Sequence, residues 1–378
     1  MKKALKFFVL TLLTCGLIFL TTGCSDDDSN PVGPGESSTK IAIVQTAGDD
    51  ENNIAVIDYE SGTASIDLLP VGGTCNMTQF GDYVYIVDKS NDRIIKFDPY
   101  AKNAVSEMST GAGTSPNTIL FLSASKAYVT LSDEPHVAVV NPATMELTGT
   151  IDISGMADDD GDPDQYHAVV KDGLCYISLR RSSGRSLTDH SSLAVIDTAA
   201  DTVVTEAVLA TNGIAGASRH CIGGQVIGTQ SIGSVMYPYV MGSVSKVSDG
   251  AIERFDPETM TSSVVMTEDQ IGGNILIWVF DEPSKGYAIV GLGDTSGGEG
   301  WGLSRFDLNA GTFVAVSDFQ KMDYSWALEC TSDGLVLVGS KNEDNPGVFV
   351  YDSLNDYKPV FEKPIDVGLL PQRILVVR

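Results

Sequence analysis

Positive charge is scarce in this sequence: 24 Lys and Arg stand against 50 Asp and Glu in 378 residues, a formal net charge of −26. A surface of that sign repels phosphate backbones, so nucleic acid is excluded as a natural partner. Cysteine is sparse, at six, and no two form a C-x-x-C pair, which disfavours zinc and thioredoxin-like chemistry. Catalytic signatures are missing as well: no G-x-S-x-G turn, no H-E-x-x-H, no P-loop, no Rossmann fingerprint and no sialidase-type Asp box. Acids abound, so residue type leaves a hydrolase or lyase with a carboxylate pair open, but no spacing marks such a pair. Amphipathic helical periodicity is also lacking, and alternation with period 2 dominates. What remains is 43% apolar residues with 38 Gly, 13 Tyr and 13 Phe, the composition of a turn-rich, globular, all-β chain.

The N-terminus, MKKALKFFVLTLLTCGLIFLTTGCSDDDSN, starts with Lys2, Lys3 and Lys6, runs apolar from Phe7 to Leu20 and carries small residues before Cys24. That is an export signal, too short and wrongly flanked for a membrane span. It holds no acid, so its removal leaves −29 on the remainder. Gly23-Cys24 resembles the lipobox of bacterial lipoproteins, whose Cys is lipidated and becomes the mature N-terminus. It departs from that pattern in placing Thr21 three residues before the Cys, with Leu20 one further back, and an ordinary signal peptide cut nearby is the alternative. By the same resemblance Ser25 implies the outer membrane, and SDDD at 25–28 resembles the acidic tag of surface lipoproteins of Bacteroidota, although it also suits a solvated tether. The Pro-, Gly-, Ser- and Asp-rich stretch 25–39 reads as a flexible linker. The expected organisation is a signal peptide over 1–23, a lipidated Cys with an acidic linker over 24–39, and one domain over 40–378. With Cys15 in the signal and Cys24 the anchor, Cys75, Cys175, Cys221 and Cys330 remain, either as bridges in any of three pairings or as buried thiols.

One phrase returns seven times: NIAVIDYESG, RIIKFDPYAK, HVAVVNPATM, SLAVIDTAAD, AIERFDPETM, GLSRFDLNAG and GVFVYDSLND. Each is a strand that ends in a polar hinge, at Asp58, Asp98, Asn141, Asp197, Asp256, Asp307 and Asp352. Asp and Asn accept hydrogen bonds from backbone N–H groups just ahead and so close a turn, which makes the hinge structural rather than catalytic. Two strand patterns precede each copy and one follows, giving four short strands per unit, and hinges recur every 40, 43, 56, 59, 51 and 45 residues. That period belongs to blades of a propeller carrying variable loops. The stretch PNTILFLSASKAYVTLSDEPHVAVVNPATMELTGTIDI (116–153) resembles the YVTN-type propeller repeat, with YVTL at 128–131. The resemblance implies a seven-bladed β-propeller of four-stranded antiparallel blades, and no particular activity. The first blade lacks an innermost strand, and PQRILVV (371–377) aligns with PNTILFL, so the C-terminal strand is expected to close the ring.

Propellers present ligands at the mouth of the central channel, near the starts of the innermost strands. Those starts bring Asn117, Tyr166, His167, Arg219, His220, Trp278, Trp326, Gln372 and Arg373 forward as candidate ligand-binding residues. Aromatic faces for stacking with a few oriented donors suit a small molecule, while the aromatics could equally pack between blades. Before this ring lies MADDDGDPDQYH, in which Asp158, Asp160, Asp162 and Asp164 around Gly161 form a candidate calcium site that departs from the EF-hand, or else a solvated acidic loop. The leading expectation is a non-catalytic envelope lipoprotein, held at the outer membrane by its lipid and facing the cell surface or periplasm, that binds a small molecule at the mouth. Its architecture is similar to that of Bacteroidota lipoproteins that pass corrinoids or ferric chelates to an outer-membrane transporter. A scaffold for a protein or glycan partner and an enzyme using the acidic mouth are the alternatives.

Overall fold

The computed structural model describes residues 40–49, 51–159, 161–180, 182–183, 186–187, 192–211, 239–240, 250–291, 300–316, 327–342 and 344–378. The signal segment, Cys24 and the linker lie outside them, as do Asp160, Arg219, His220, Cys221 and Trp326.

Six four-stranded antiparallel sheets follow one another along the chain. The second blade is Cys75–Phe80, Tyr83–Asp88, Arg93–Asp98 and Asn103–Ser109; the third is Pro116–Ser123, Lys126–Leu131, His136–Asn141 and Glu146–Asp152. The fourth comprises Gln165–Lys171, Leu174–Leu179, Ser192–Asp197 and Thr202–Val208. Two more run over 275–315 and 328–359. Between these and the fourth blade stands a sheet of three strands, Tyr239–Val240, Ala251–Asp256 and Thr261–Thr267. Seven four-stranded blades were expected, and six are seen among the described residues. The innermost strand expected for the three-stranded sheet falls within 205–250, of which 212–238 and 241–249 are not described. This is an all-β propeller.

Each second strand reads as an unbroken apolar run because both of its faces are covered: YVYIVD, LCYISL and LVLVGS are buried in five of six positions. Outermost strands such as Asn103–Ser109 and Glu146–Asp152 are mostly exposed and polar. Among the described residues the sheets do not share a ladder. They meet through apolar clusters, such as Ile43, Ile54, Ile86 and Phe97 between the first and second blades, and Ala42, Ile57, Leu337 and Val350 between the first blade and that of 328–359.

All seven hinges work as turns. Asp98 Oδ1 accepts from the N–H groups of Tyr100 (2.9 Å) and Ala101 (2.8 Å), and Asp58, Asp197, Asp256 and Asp307 repeat both bonds. Asn141 and Asp352 make the first only. Four residues past each hinge the backbone is left-handed, at Gly62, Lys102, Met145, Asp201, Met260, Gly311 and Asp356.

The first blade joins the two ends of the domain: Ile41–Ala47 pairs antiparallel with Leu370–Val376, alongside Asn52–Asp58 and Thr63–Pro70. Arg378 then ties neighbours on either side, its N–H donating to Gln79 Oε1 (2.7 Å) and its Nη2 to the Cys330 carbonyl (2.9 Å). Cys75, Cys175 and Cys330 are buried free thiols.

Candidate functional site

Four of the innermost strands carry an irregularity at one end, while Cys75–Phe80 and Leu328–Cys330 pair without one. In the first blade Arg373 pairs with Gln45 but Pro371 with Thr46, leaving Gln372 as an extra residue. In the third, Thr118 pairs with Thr130 and Pro116 with Leu131, leaving Asn117. In the fourth, Ala168 pairs with Ile177 and Gln165 with Leu179, so Tyr166 and His167 face Ser178 alone. These are β-bulges, which unpair a residue and re-aim its side chain, commonly at the rim of a closed structure. The sequence candidates Asn117, Tyr166, His167 and Gln372 are therefore the bulge residues of three blades, with Arg373 next to Gln372.

Hydroxyls from the second strands hold the bulges in place. Thr130 Oγ1 accepts from Thr118 N–H (3.0 Å) and donates to the Tyr166 carbonyl (2.7 Å), while Ser178 Oγ accepts from His167 N–H (3.0 Å). Each satisfies backbone groups that the bulge withdraws from the ladder. A side-chain relay crosses from blade to blade: Asn76 Nδ2 donates to Asn117 Oδ1 (2.8 Å), Asn117 Nδ2 to Ser132 Oγ (3.0 Å), and Ser132 Oγ to the Gln165 carbonyl (3.2 Å). Thr118 Oγ1 lies 3.2 Å from His167 Nδ1, so the third and fourth blades also meet through this pair. The Tyr166 and His167 rings meet edge to face, 4.4 Å apart.

Cations missed by the sequence reading sit on the same rim. Lys89, Arg180 and Lys341 each follow directly on a second strand, at the end where the innermost strand begins. Lys89 Nζ donates to Ser132 Oγ (3.0 Å), the Arg180 guanidinium lies 5.1 Å from the Tyr166 ring centre, and Lys341 Nζ donates to Gln372 Oε1 (2.7 Å). Burial first, and the charge of Arg373 second, push the Lys341 ammonium below its ordinary value. Among the described residues, two buried polar atoms at this rim have no hydrogen-bond partner, Gln165 Oε1 and Arg180 Nε. Gln165 is wholly buried, its Nε2 donating to the carbonyls of Glu134 and His136 (both 2.8 Å). A count of six residues onward from the residue opposite each hinge would have indexed these cations.

Trp278 does not belong to the rim. It pairs with Ala288, deeper in the innermost strand Ile275–Glu282, is 4% exposed, and packs 5.0 Å from Phe280 and 5.7 Å from Phe306. Ile252 and Met266 of the three-stranded sheet complete that cluster. It is an inter-blade core residue, because the ladder places Leu276 rather than Trp278 in the bulge of this strand. Arg219, His220 and Trp326 lie outside the described residues. In the acidic loop Gly161 is left-handed and its N–H bonds to the Asp158 carbonyl (3.1 Å), giving the tight bend expected there. Among the described residues, which include Asp158, Asp162 and Asp164 but not Asp160, no three His, Cys, Asp or Glu gather as metal ligands.

No family model matches this chain, and no curated protein matches it. Solved structures do. The hydrazine synthase of Kuenenia stuttgartiensis superposes with a TM-score of 0.57 at 12% identity, over 80% of this chain and 94% of that one. Apo AztD from Citrobacter koseri gives 0.54 at 14% identity, over 90% and 98%. The dihydro-heme d1 dehydrogenase NirN, solved in complex with DHE, gives 0.53 at 13% identity, over 89% and 75%. At such identities the likeness carries the fold alone, and the chain is a β-propeller.

Proposed function

We propose that this chain is a non-catalytic envelope lipoprotein that captures a small molecule at the rim of its central channel. The observation that carries the reading is the coincidence of three bulges: Gln372, Asn117 and the Tyr166–His167 pair are each released from the ladder at matched places. Polar bulge residues recurring at the same end of three innermost strands offer side chains for a pocket, although Cys75–Phe80 has no bulge and the blade of 275–315 places the buried Leu276 in its own. NirN, similar in fold, was solved in complex with DHE. We count the three-stranded sheet as a seventh blade and the pairing of Ile41–Ala47 with Leu370–Val376 as the closure of the ring. Lipidation at Cys24 would tether the domain at the outer membrane through the 24–39 linker, where a corrinoid or ferric chelate could pass to a transporter.

The test is retention. Protein incubated with corrinoids and ferric chelates, then desalted, should keep a coloured ligand, and Asn117→Ala with His167→Ala should lose it while the melting temperature holds within a few degrees. If the unsubstituted protein retains none, or the double variant retains as much, capture at this rim is wrong. Protein or glycan partners recovered in its place would favour the scaffold.

A further inference from the structure

A chain with twice as many acids as bases nevertheless gathers cations where its innermost strands begin. Lys341 belongs to the blade of 328–359, Arg373 to the first, Lys89 to the second and Arg180 to the fourth, so four blades each contribute one. Three of the four hold their place through the rim: Lys341 on Gln372, Lys89 on Ser132, and Arg180 over Tyr166. Lys341 and Arg373 are linked through the rim. Gln372, which Lys341 contacts, is the residue before Arg373, and the charge of Arg373 is felt at Lys341. Lys341 is also half-buried, so its charge acts in a medium that screens it less than water does. The acidic loop reaches this ring at one place: the Asp164 carbonyl accepts from Arg180 N–H (3.2 Å), which puts Asp158, Asp162 and Asp164 beside the fourth blade's cation and leaves Lys341, Arg373 and Lys89 on the other blades.

We propose that the rim takes an anionic small molecule, with Lys341 and Arg373 anchoring a carboxylate, phenolate or phosphate group and with Lys89 and Arg180 placed to meet further negative charge. This rests on the reading that the rim captures a ligand, and it gives that ligand a chemical class. Arg373 presents a planar fork suited to two oxygens, and Lys341 supplies a point charge steered by Gln372. The overall charge of −26 makes the class selective, because anions are repelled from most of the surface and held only where the local field reverses.

The probes are citrate and pyrophosphate, with trimethyl citrate as a neutral analogue of the first, followed by titration calorimetry. The expected result is saturable binding of at least one anion at one site per chain and none of the triester. Lys341→Gln and Arg373→Gln should each weaken binding about tenfold or more, the loss of one charge-assisted contact. Lys341→Arg, which keeps the charge, should retain most of it, and Lys285→Gln, altering an exposed ion pair with Glu282, should change nothing. If a Gln variant fails to fold, the contrast between citrate and its triester on the unsubstituted protein decides the matter. Failure of both anions to bind, equal binding of the triester, or Gln variants that fold and bind as before would overturn the proposal. A neutral ligand retained at the rim and lost with Asn117 and His167, yet indifferent to Lys341, would sink the anionic class and leave capture standing. A protein retaining nothing would sink capture itself.

Discussion

At the residue scale the hinge carboxylate is the most repeated device in the chain. Asp98 closes its turn by taking two N–H groups that would otherwise face water, while the Lys102 N–H returns to the Asp98 carbonyl (2.8 Å) and forces Lys102 into the left-handed region. The geometry asks for a short acceptor at the hinge and tolerates several residues four places later, which explains why Asp or Asn holds the first position while Gly, Lys, Met and Asp share the second. Asp98→Ala should therefore destabilise the domain by on the order of 1 kcal/mol, read as a lower urea midpoint, and Asp98→Asn should recover most of it. Equal midpoints for all three proteins would mean that the turn is held by its backbone alone.

Elements show where sequence reading succeeds and where it stops. The blades were legible because each second strand is covered on both faces and each hinge is polar, so runs such as YVYIVD and SLAVID announce themselves. The bulges were not, since one extra residue in PNTILFL leaves no mark on an apolar string, and its place depends on the partner strand. Asn117, Tyr166, His167 and Gln372 stand at strand starts, where the bulges occur, whereas Trp278 lies two residues deeper than the bulge at Leu276. The cations were missed because Lys89, Arg180 and Lys341 look like ordinary loop residues until the ladders align them. Second-strand hydroxyls are the hidden half of this arrangement. Thr130 is fully buried and serves one backbone donor and one backbone acceptor, so Thr130→Val keeps the shape and strands both. The expected cost is about 1 to 3 kcal/mol, with amide exchange quickened at Thr118. Unchanged exchange there would show that the hydroxyl does not hold the bulge.

Over the whole molecule the first and last described strands meet, and beside that meeting lies a buried carboxylate. Glu329 lies in the short innermost strand Leu328–Cys330, is 2% exposed, and has Arg378 Nη2 at 3.5 Å. Burial raises its pKa above the ordinary 4.5, and the opposing charge of Arg378 does not fully offset that effect. The sign of the consequence follows from linkage. Below about 4.5 both folded and unfolded forms are protonated and Glu329 costs nothing; as pH rises the unfolded chain gives up the proton first, so folding loses stability until the folded pKa is passed and the penalty becomes constant. Glu329→Gln keeps an acceptor for Arg378 without the charge. Its stability relative to the parent should therefore grow as pH rises above about 4.5 and level off once the folded pKa is passed, measured as the difference in urea unfolding free energy across pH. A difference that instead shrinks with rising pH would mean that the ion pair with Arg378 outweighs desolvation, and that the end of the chain is held chiefly by charge rather than by the ladder between Ile41–Ala47 and Leu370–Val376.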